Sequence, residues 1–437
     1  MNALSHTHTN PRTAKSRTVG QTLAQKLIAR ASGRVAVTPG EIVTCKVDLA
    51  MVHDSSGPRR LKPMLERLGA KVWDPDRLVV ITDHYVPAND DESVKILDLT
   101  RSWVKAEGIK RFYDGIGICH VVLPEKGHLR PGMFAVGGDS HSPTGGAFGA
   151  YMFGIGATEM LGVVVTGEIW LKVPDTIYLE WNGRLTDGVV AKDIMLALCG
   201  KLGMDGGKYQ AVEYAGDAIR ALSMRERMTL CNMAAELGAQ TGLVAPDPIT
   251  LDYLHAAGAR DIDPRPWQTD ADATFSEHHR FDAAALAPQV AAPHSPANAA
   301  PVDSYREAIH VAYIGACTGA KIDDLRMAAR VFKGQRIAPG VRLLVGAASL
   351  ADQRAAEADG TMRAIVDAGA ELLPNACGAC AGYGQWRFDA GTKVISSTAR
   401  NFKGRMGSPD SQVFLASPYT VAASALTGHI TDPRGVL

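Results

Sequence analysis

The sequence predicts an α/β protein with largely parallel sheets, and three observations carry that prediction. Short apolar runs alternate with amphipathic helical stretches over most of the 437 residues. Ionisable residues recur directly after the apolar runs, where open parallel sheets bind their ligands. Glycine is abundant at 44 residues, above the usual ~7%, as expected of many tight turns and close backbone approaches.

Element by element, QTLAQKLIARASG (21–33) has helical apolar spacing and ends at Gly33, a residue suited to close a helix. EIVTCKV (41–47) and LVVIT (78–82) read as strands. DESVKILDLTRSWVKAEG (91–108) reads as a helix with acids in its first turn and Gly108 past its end. GIGIC (115–119), MFAV (133–136), HVAYIGA (310–316), VRLLVGA (341–347) and TKVIS (392–396) are again strand-like. Ser417-Pro418 opens a last helix with a cap and an N1 proline, stopped by Gly428. The most apolar region, 147–171, carries Glu159 and Glu168 and several glycines, so it reads as buried core rather than a membrane span. Residues 283–302 are rich in Ala and Pro without periodicity and predict an extended linker, with a boundary at 285–303.

The length suits two to four domains, and 46 basic residues balance 46 acidic ones. Net charge zero argues against nucleic acid or an anionic membrane as the main partner. Residues 1–18 are polar and basic, lack the apolar core of an export signal, and read as a disordered tail. His6 and His8 belong to that tail rather than to a metal site. Seven cysteines, an odd number in a long chain, point to a reducing, cytoplasmic setting without a disulfide framework.

The chemistry-bearing residues follow the strands. LVVIT leads to Asp83-His84, GIGIC to His120, MFAV to Asp139-Ser140-His141, YIGA to Cys317, and TKVIS to Arg400 and Arg405. Cys377 and Cys380 form a C-x-x-C among small residues, and Cys317 stands on another glycine-bounded loop. A C-x-x-C alone fits a redox dithiol, half a zinc site, a cluster ligand or a structural pair. Structural zinc normally takes four Cys/His ligands, and a dithiol has no use for Cys317. Three thiolates suit an iron–sulfur cluster with one iron open to a substrate. Cys45, Cys119, Cys199 and Cys231 read as small buried hydrophobes.

Taken together, the Asp-His after LVVIT, GGDSHSPTGG, CNMAAELGA, GACTG, ACGAC and ARNFKGR resemble the aconitase superfamily. The likeness is greatest to large subunits of two-subunit 3-isopropylmalate dehydratase and to homoaconitase and dimethylmalate dehydratase relatives, and runs from about residue 20 to the C-terminus. The resemblance implies a fold of three α/β/α domains around a central cluster cleft: two intertwined domains over 19–284 and a third over 304–437. It implies a reversible hydro-lyase acting on a hydroxy di- or tricarboxylate, as in leucine biosynthesis. Cys317, Cys377 and Cys380 match the ligands of a [4Fe–4S] cluster with one open iron. Asp83, His84, His120, Asp139 and His141 match residues that protonate and guide the leaving hydroxyl, and Glu236 matches a carboxylate beside the cluster-bound water. Asn232 is its amide neighbour. Arg400 and Arg405 match substrate-carboxylate clamps, while His53 and Ser140 match substrate-contacting positions.

Two departures stand out. Gly319 replaces the family's usual asparagine after Cys-Thr, and Ala399 replaces the asparagine before the first motif arginine. Lost amides near a cluster are expected to change its potential, stability or substrate fit rather than abolish ligation. They suggest a divergent paralogue acting on homoaconitate, dimethylmalate or another 2-alkylmalate. Full-length relatives carry a serine base and a carboxylate-binding arginine on a C-terminal swivelling domain. Here only one strand-like run and one helix follow Arg405, so both groups are expected from a small swivel-domain subunit. A cluster-dependent RNA-binding or sensing protein is the alternative of a different class, and the absence of a basic stripe weighs against it.

Overall fold

The computed structural model describes residues 20–383 and 386–437; the tail with His6 and His8 lies outside them. The described residues form four sheets. A five-stranded parallel sheet has the order Arg111–Asp114, Leu78–Thr82, Leu49–His53, Phe134–Gly137, Tyr151–Gly154. A four-stranded parallel sheet has the order Thr241–Leu243, Ala211–Ala215, Thr176–Asn182, Glu277–Asp282. Ile42–Lys46 pairs antiparallel with Glu168–Lys172 as a separate ribbon. The fourth sheet has seven strands, with Lys393–Ser396, Val311–Ile314 and Arg342–Val345 at its centre. Leu78–Thr82 and Val311–Ile314 are buried throughout, as parallel strands covered on both faces must be.

Helix ends follow local chemistry. Thr22 and Gln25 exchange hydrogen bonds in a capping box before Leu23–Ala31. Asp90 caps Asp91–Ala106, and Ser417 caps Pro418–Thr427. Cys45, Cys119, Cys199 and Cys231 are buried. No helix among the described residues is long and apolar enough to cross a membrane.

Two sequence expectations need correcting. GIGIC is not a strand. Gly115 and Gly117 take φ of 66° and 141°, which breaks the extended run after Asp114, and His120 sits in the first turn of the helix Cys119–Glu125. The Ala/Pro-rich segment is not a bare connector either. Gln289–Ala291 pairs antiparallel with Gln412–Ala416 and with Ala299–Pro301, forming the edge of the seven-stranded sheet. Its Val290 and Ala291 are fully buried. Proline is tolerated there because an edge strand can spare an N–H. One continuous core runs from Met51 and Ile81 through Ile194 and Leu198 to Val290, Ile314 and Phe332.

In both central sheets a run of strands built outward from a middle strand is followed by a return to that strand's other side. In the five-stranded sheet the reversal falls between Leu49–His53 and Phe134–Gly137; in the seven-stranded sheet it falls between Val311–Ile314 and Lys393–Ser396. Such reversals open a crevice beyond the strand carboxyl ends.

Gly146, in the turn Ser142–Phe148, meets the strand Thr241–Leu243 so closely that a Cβ would lie 1.7 Å from the Gly242 carbonyl oxygen. Gly146→Ala is expected to cost on the order of 1–3 kcal/mol. Gly162→Ala, in an open helical position, should leave stability unchanged or raise it. Denaturant midpoints of the two variants check the contrast.

Candidate active site

The crevices of the two sheets meet in one cavity of about 290 Å³. His53, His84, His120, Asp139, Ser140 and His141 line one side; Cys317, Cys377, Cys380, Ala399, Arg400 and Arg405 line the other. Of the predicted site residues, Asp83, Asn232 and Glu236 stand behind this wall and contact its members.

Asp83 follows the strand Leu78–Thr82 and is fully buried. Its Oδ1 lies 2.6 Å from His84 Nδ1, and its Oδ2 accepts the Cys119 N–H at 2.7 Å. Burial alone would raise the Asp83 carboxyl, but the His84 imidazole outweighs it and holds the carboxyl at about 2. Burial likewise works against a charged His84; the carboxylates of Asp83, Asp54 and Asp139 raise it to about 10. His53 stacks on His84 with ring centroids 4.1 Å apart. Sequence reasoning missed Asp54, which fixes this corner. Its carboxylate accepts the N–H groups of His84 at 3.1 Å and Tyr85 at 2.8 Å. It follows a strand, as the predicted residues do, and that position was its signal.

Asp139 Oδ1 takes His120 Nε2 at 2.7 Å and the His141 N–H at 2.8 Å, while Oδ2 lies 3.6 Å from His53 Nε2. Burial opposes ionisation here too, yet His120 and its neighbours hold Asp139 well below the usual carboxylate range. Glu236 is fully buried, not a helix-surface acid. Its Oε1 meets His141 Nε2 at 3.0 Å and Arg400 Nε at 2.5 Å. Against burial, Arg400 and His141 draw it down to about 2. His141 is lowered by burial and by Arg400, against the opposing pull of Glu236 and Asp139. Arg400 also donates Nη1 to Ser140 Oγ at 2.9 Å, which leaves Nη2 for a ligand.

The sulfur side is equally built. Asn232 Nδ2 donates to Thr144 Oγ1 at 2.8 Å and reaches Cys317 Sγ at 3.2 Å. The neighbouring Cys377 thiol, with help from Arg405 and His141, lowers Cys380 to about 5 against burial; burial raises Cys317 to about 12. The Cys377 N–H donates to the Asp83 carbonyl at 2.8 Å, tying the sulfur loop to the histidine loop. Groups of three or more His, Cys, Asp or Glu donors within 4.8 Å of one another are His53–Asp54–Asp83–His84 and His120–Asp139–His141 among the described residues. Cys317, Cys377 and Cys380 face the same cavity. On the cavity wall, both His53 nitrogens and Arg405 Nε are buried without a hydrogen-bond partner among the described residues. Buried polar atoms seldom stay unsatisfied, so this donor set fits a cavity that receives a polar occupant.

The departures fall here as well. Ala399 lines the cavity and is 1% exposed. A Cβ on Gly319 would lie 2.2 Å from Ser397 Oγ; that hydroxyl accepts the Gly315 N–H at 3.0 Å and donates to the Gly319 carbonyl at 3.1 Å. Glycine at 319 is thus the packing partner of Ser397. Two buried lysines, Lys192 and Lys321, also escaped sequence reasoning. Lys321 Nζ donates to the Cys317 carbonyl at 2.9 Å and to Asp324 Oδ2 at 2.7 Å.

The model of the aconitase family (aconitate hydratase) matches residues 25–308 and 303–428. The 3-isopropylmalate dehydratase large subunit 1 of Methanopyrus kandleri is 44% identical over 421 residues, covering 96% of this chain and 100% of the relative. A probable methanogen homoaconitase large subunit of Methanothermobacter thermautotrophicus is 42% identical, covering 95% of this chain and 98% of its own length. The 3-isopropylmalate dehydratase large subunit of Aquifex aeolicus is 40% identical, with 96% and 98% covered.

A histidine raised from its unfolded value near ~6.5 stabilises the fold fully below that value and loses the contribution as pH climbs through about 10. Melting temperature should therefore fall from pH 6.5 towards pH 10. Asp83→Asn should shrink that fall, because its carboxamide no longer favours the imidazolium. Equal slopes in the two proteins would contradict the assignment.

Proposed function

The chain belongs to the aconitase family and is a hydro-lyase, and on that footing we propose that it is the cluster-bearing large subunit of a two-subunit enzyme that reversibly dehydrates 3-isopropylmalate. The observation that carries this reading is the single cavity on which three cysteines, a histidine–carboxylate set and two arginines converge. Cys317, Cys377 and Cys380 would hold a [4Fe–4S] cluster, which when bound supplies an open Lewis-acid iron for a hydroxyl and a carboxylate.

This chain's own residues supply binding and proton handling. Arg405 and the remaining Nη2 of Arg400 offer planar donor forks to substrate carboxylates. His53 presents unpartnered imidazole nitrogens at the wall. His84, kept protonated by Asp83, and His120, paired with Asp139, are the proton donors for a departing hydroxyl, a poor leaving group unless protonated. Glu236 keeps His141 and Arg400 in register.

Removing the carbon-bound proton needs a base. The carboxylate lining the cavity, Asp139, is held well below its usual range by His120, which makes it a weak base. That supports a base arriving from a partner, in keeping with relatives that are named large subunits.

Anaerobic reconstitution of the purified chain with ferrous iron and sulfide should give a broad visible absorption band and bound iron. Cys317→Ser, Cys377→Ser and Cys380→Ser should each lower that iron content. Turnover of 3-isopropylmalate should appear only after a small subunit of the kind implied by the relatives' names is added. Full activity of the chain alone, or turnover of homoaconitate with none of 3-isopropylmalate, would overturn the reading.

A further inference from the structure

Lys192 opens the helix Ala191–Leu202 and is 1% exposed. Its ammonium reaches across to the seven-stranded sheet. There it donates to the Thr398 carbonyl, to the Ser397 carbonyl at 2.9 Å and to Thr318 Oγ1 at 3.3 Å. All three acceptors are neutral. Among the described residues no carboxylate lies within the 4.0 Å ion-pair distance of this nitrogen.

The neighbouring charges do not explain it. Asp193 turns its oxygens to the N–H groups of Val190 at 2.9 Å and Gln289 at 2.8 Å. Burial raises its carboxyl to about 7, so it is a poor counter-ion. Lys321 has its own partner in Asp324. Glu236 most, then Cys380 and Cys317, are among the groups whose fields favour a charged Lys192, while Lys321 opposes it. Glu236 is already matched by Arg400 and His141. The sulfur site stands beside Lys192, one residue from the Thr318 hydroxyl that its ammonium holds.

Isolated burial of an ammonium costs several kcal/mol, and burial does pull Lys192 down to about 8. Three thiolates on an iron–sulfur core leave net negative charge at that site. We propose that Lys192 is the buried counter-charge of the three-cysteine site and a positioning residue for the reaction. The inference rests on the cluster-bearing reading given above. The same ammonium ties Thr318, next to Cys317, to Ser397 and Thr398, which precede Arg400. It therefore fixes the spacing between a sulfur ligand and a substrate-side arginine.

The test compares the full-length wild type with Lys192→Met, Lys192→Gln, which keeps a donor without charge, and Lys192→Arg, which keeps the charge. Each is melted before and after anaerobic reconstitution with ferrous iron and sulfide. Iron-release rate and midpoint potential are measured on the loaded proteins. A purely structural tether lowers the melting temperature equally in both states.

A counter-charge gives a different pattern. The gain in melting temperature on loading should shrink in Lys192→Met and Lys192→Gln. Iron release should quicken roughly tenfold, the low end of effects from groups supporting metal ligands. The midpoint potential should fall, because a nearby cation stabilises the more negative reduced state. Lys192→Arg should stay near wild type in iron release, and it serves as the folded reference if Lys192→Met does not fold. Unchanged loading gain and potential in Lys192→Gln would overturn this inference alone. Failure of the wild type to take up iron and sulfide would overturn it together with the reading beneath it.

Discussion

Ionised groups taken out of water must meet opposite charge or pay several kcal/mol each, and this cavity wall gathers many of them. Asp83, Asp139 and Glu236 are drawn below their ordinary range against the pull of burial because His84, His120 and Arg400 stand beside them. Each carboxylate also takes a second polar neighbour: the Cys119 N–H, the His141 N–H and the His141 ring respectively. The pairs are thus linked, and a shift of one side chain disturbs at least two others. Such linkage gives the rigidity that directed proton transfer requires.

Topology is what brings the charges together. Both central sheets reverse their strand order part-way, and each reversal opens a crevice beyond the strand ends. His53, Asp54 and Asp139 flank one crevice, Cys317 and Arg400 the other. Contacts between loops lock the two: the Cys377 N–H on the Asp83 carbonyl, and Arg400 on Ser140. Neither sheet alone carries the full set of groups, so the chemistry depends on the continuous core that joins them.

Much of this was legible in the residues. LVVIT, TKVIS and the Ser417-capped helix needed only period and capping to be placed, because burial on both faces and a side-chain cap are local facts. What the sequence hid was long-range. Nothing in Ala-Pro composition says that 289–291 will find the strand 412–416, and the two glycines in GIGIC conceal a break within an apolar run. Lys192 was passed over because a lysine amid Val, Ala and Ile reads as a helix surface charge; its burial is decided by a sheet that lies far along the chain. Asp54 shows the opposite case, since it obeyed the strand-end rule and was simply not sought. The roles of the site residues came from family resemblance. Spacing alone left zinc, dithiol and cluster open.

The contact between Gly319 and Ser397 constrains how this chain can change over generations. A Cβ at 319 would meet not only the Ser397 hydroxyl but also its Cβ at 2.3 Å and its backbone carbonyl at 2.5 Å, so exchanging the residue at 397 does not by itself make room. The same hydroxyl braces the Gly315 and Gly319 backbone, so trimming it loosens the loop without opening the position. A side chain is admitted at 319 only if the two backbones part, a change that no single exchange of side chains supplies.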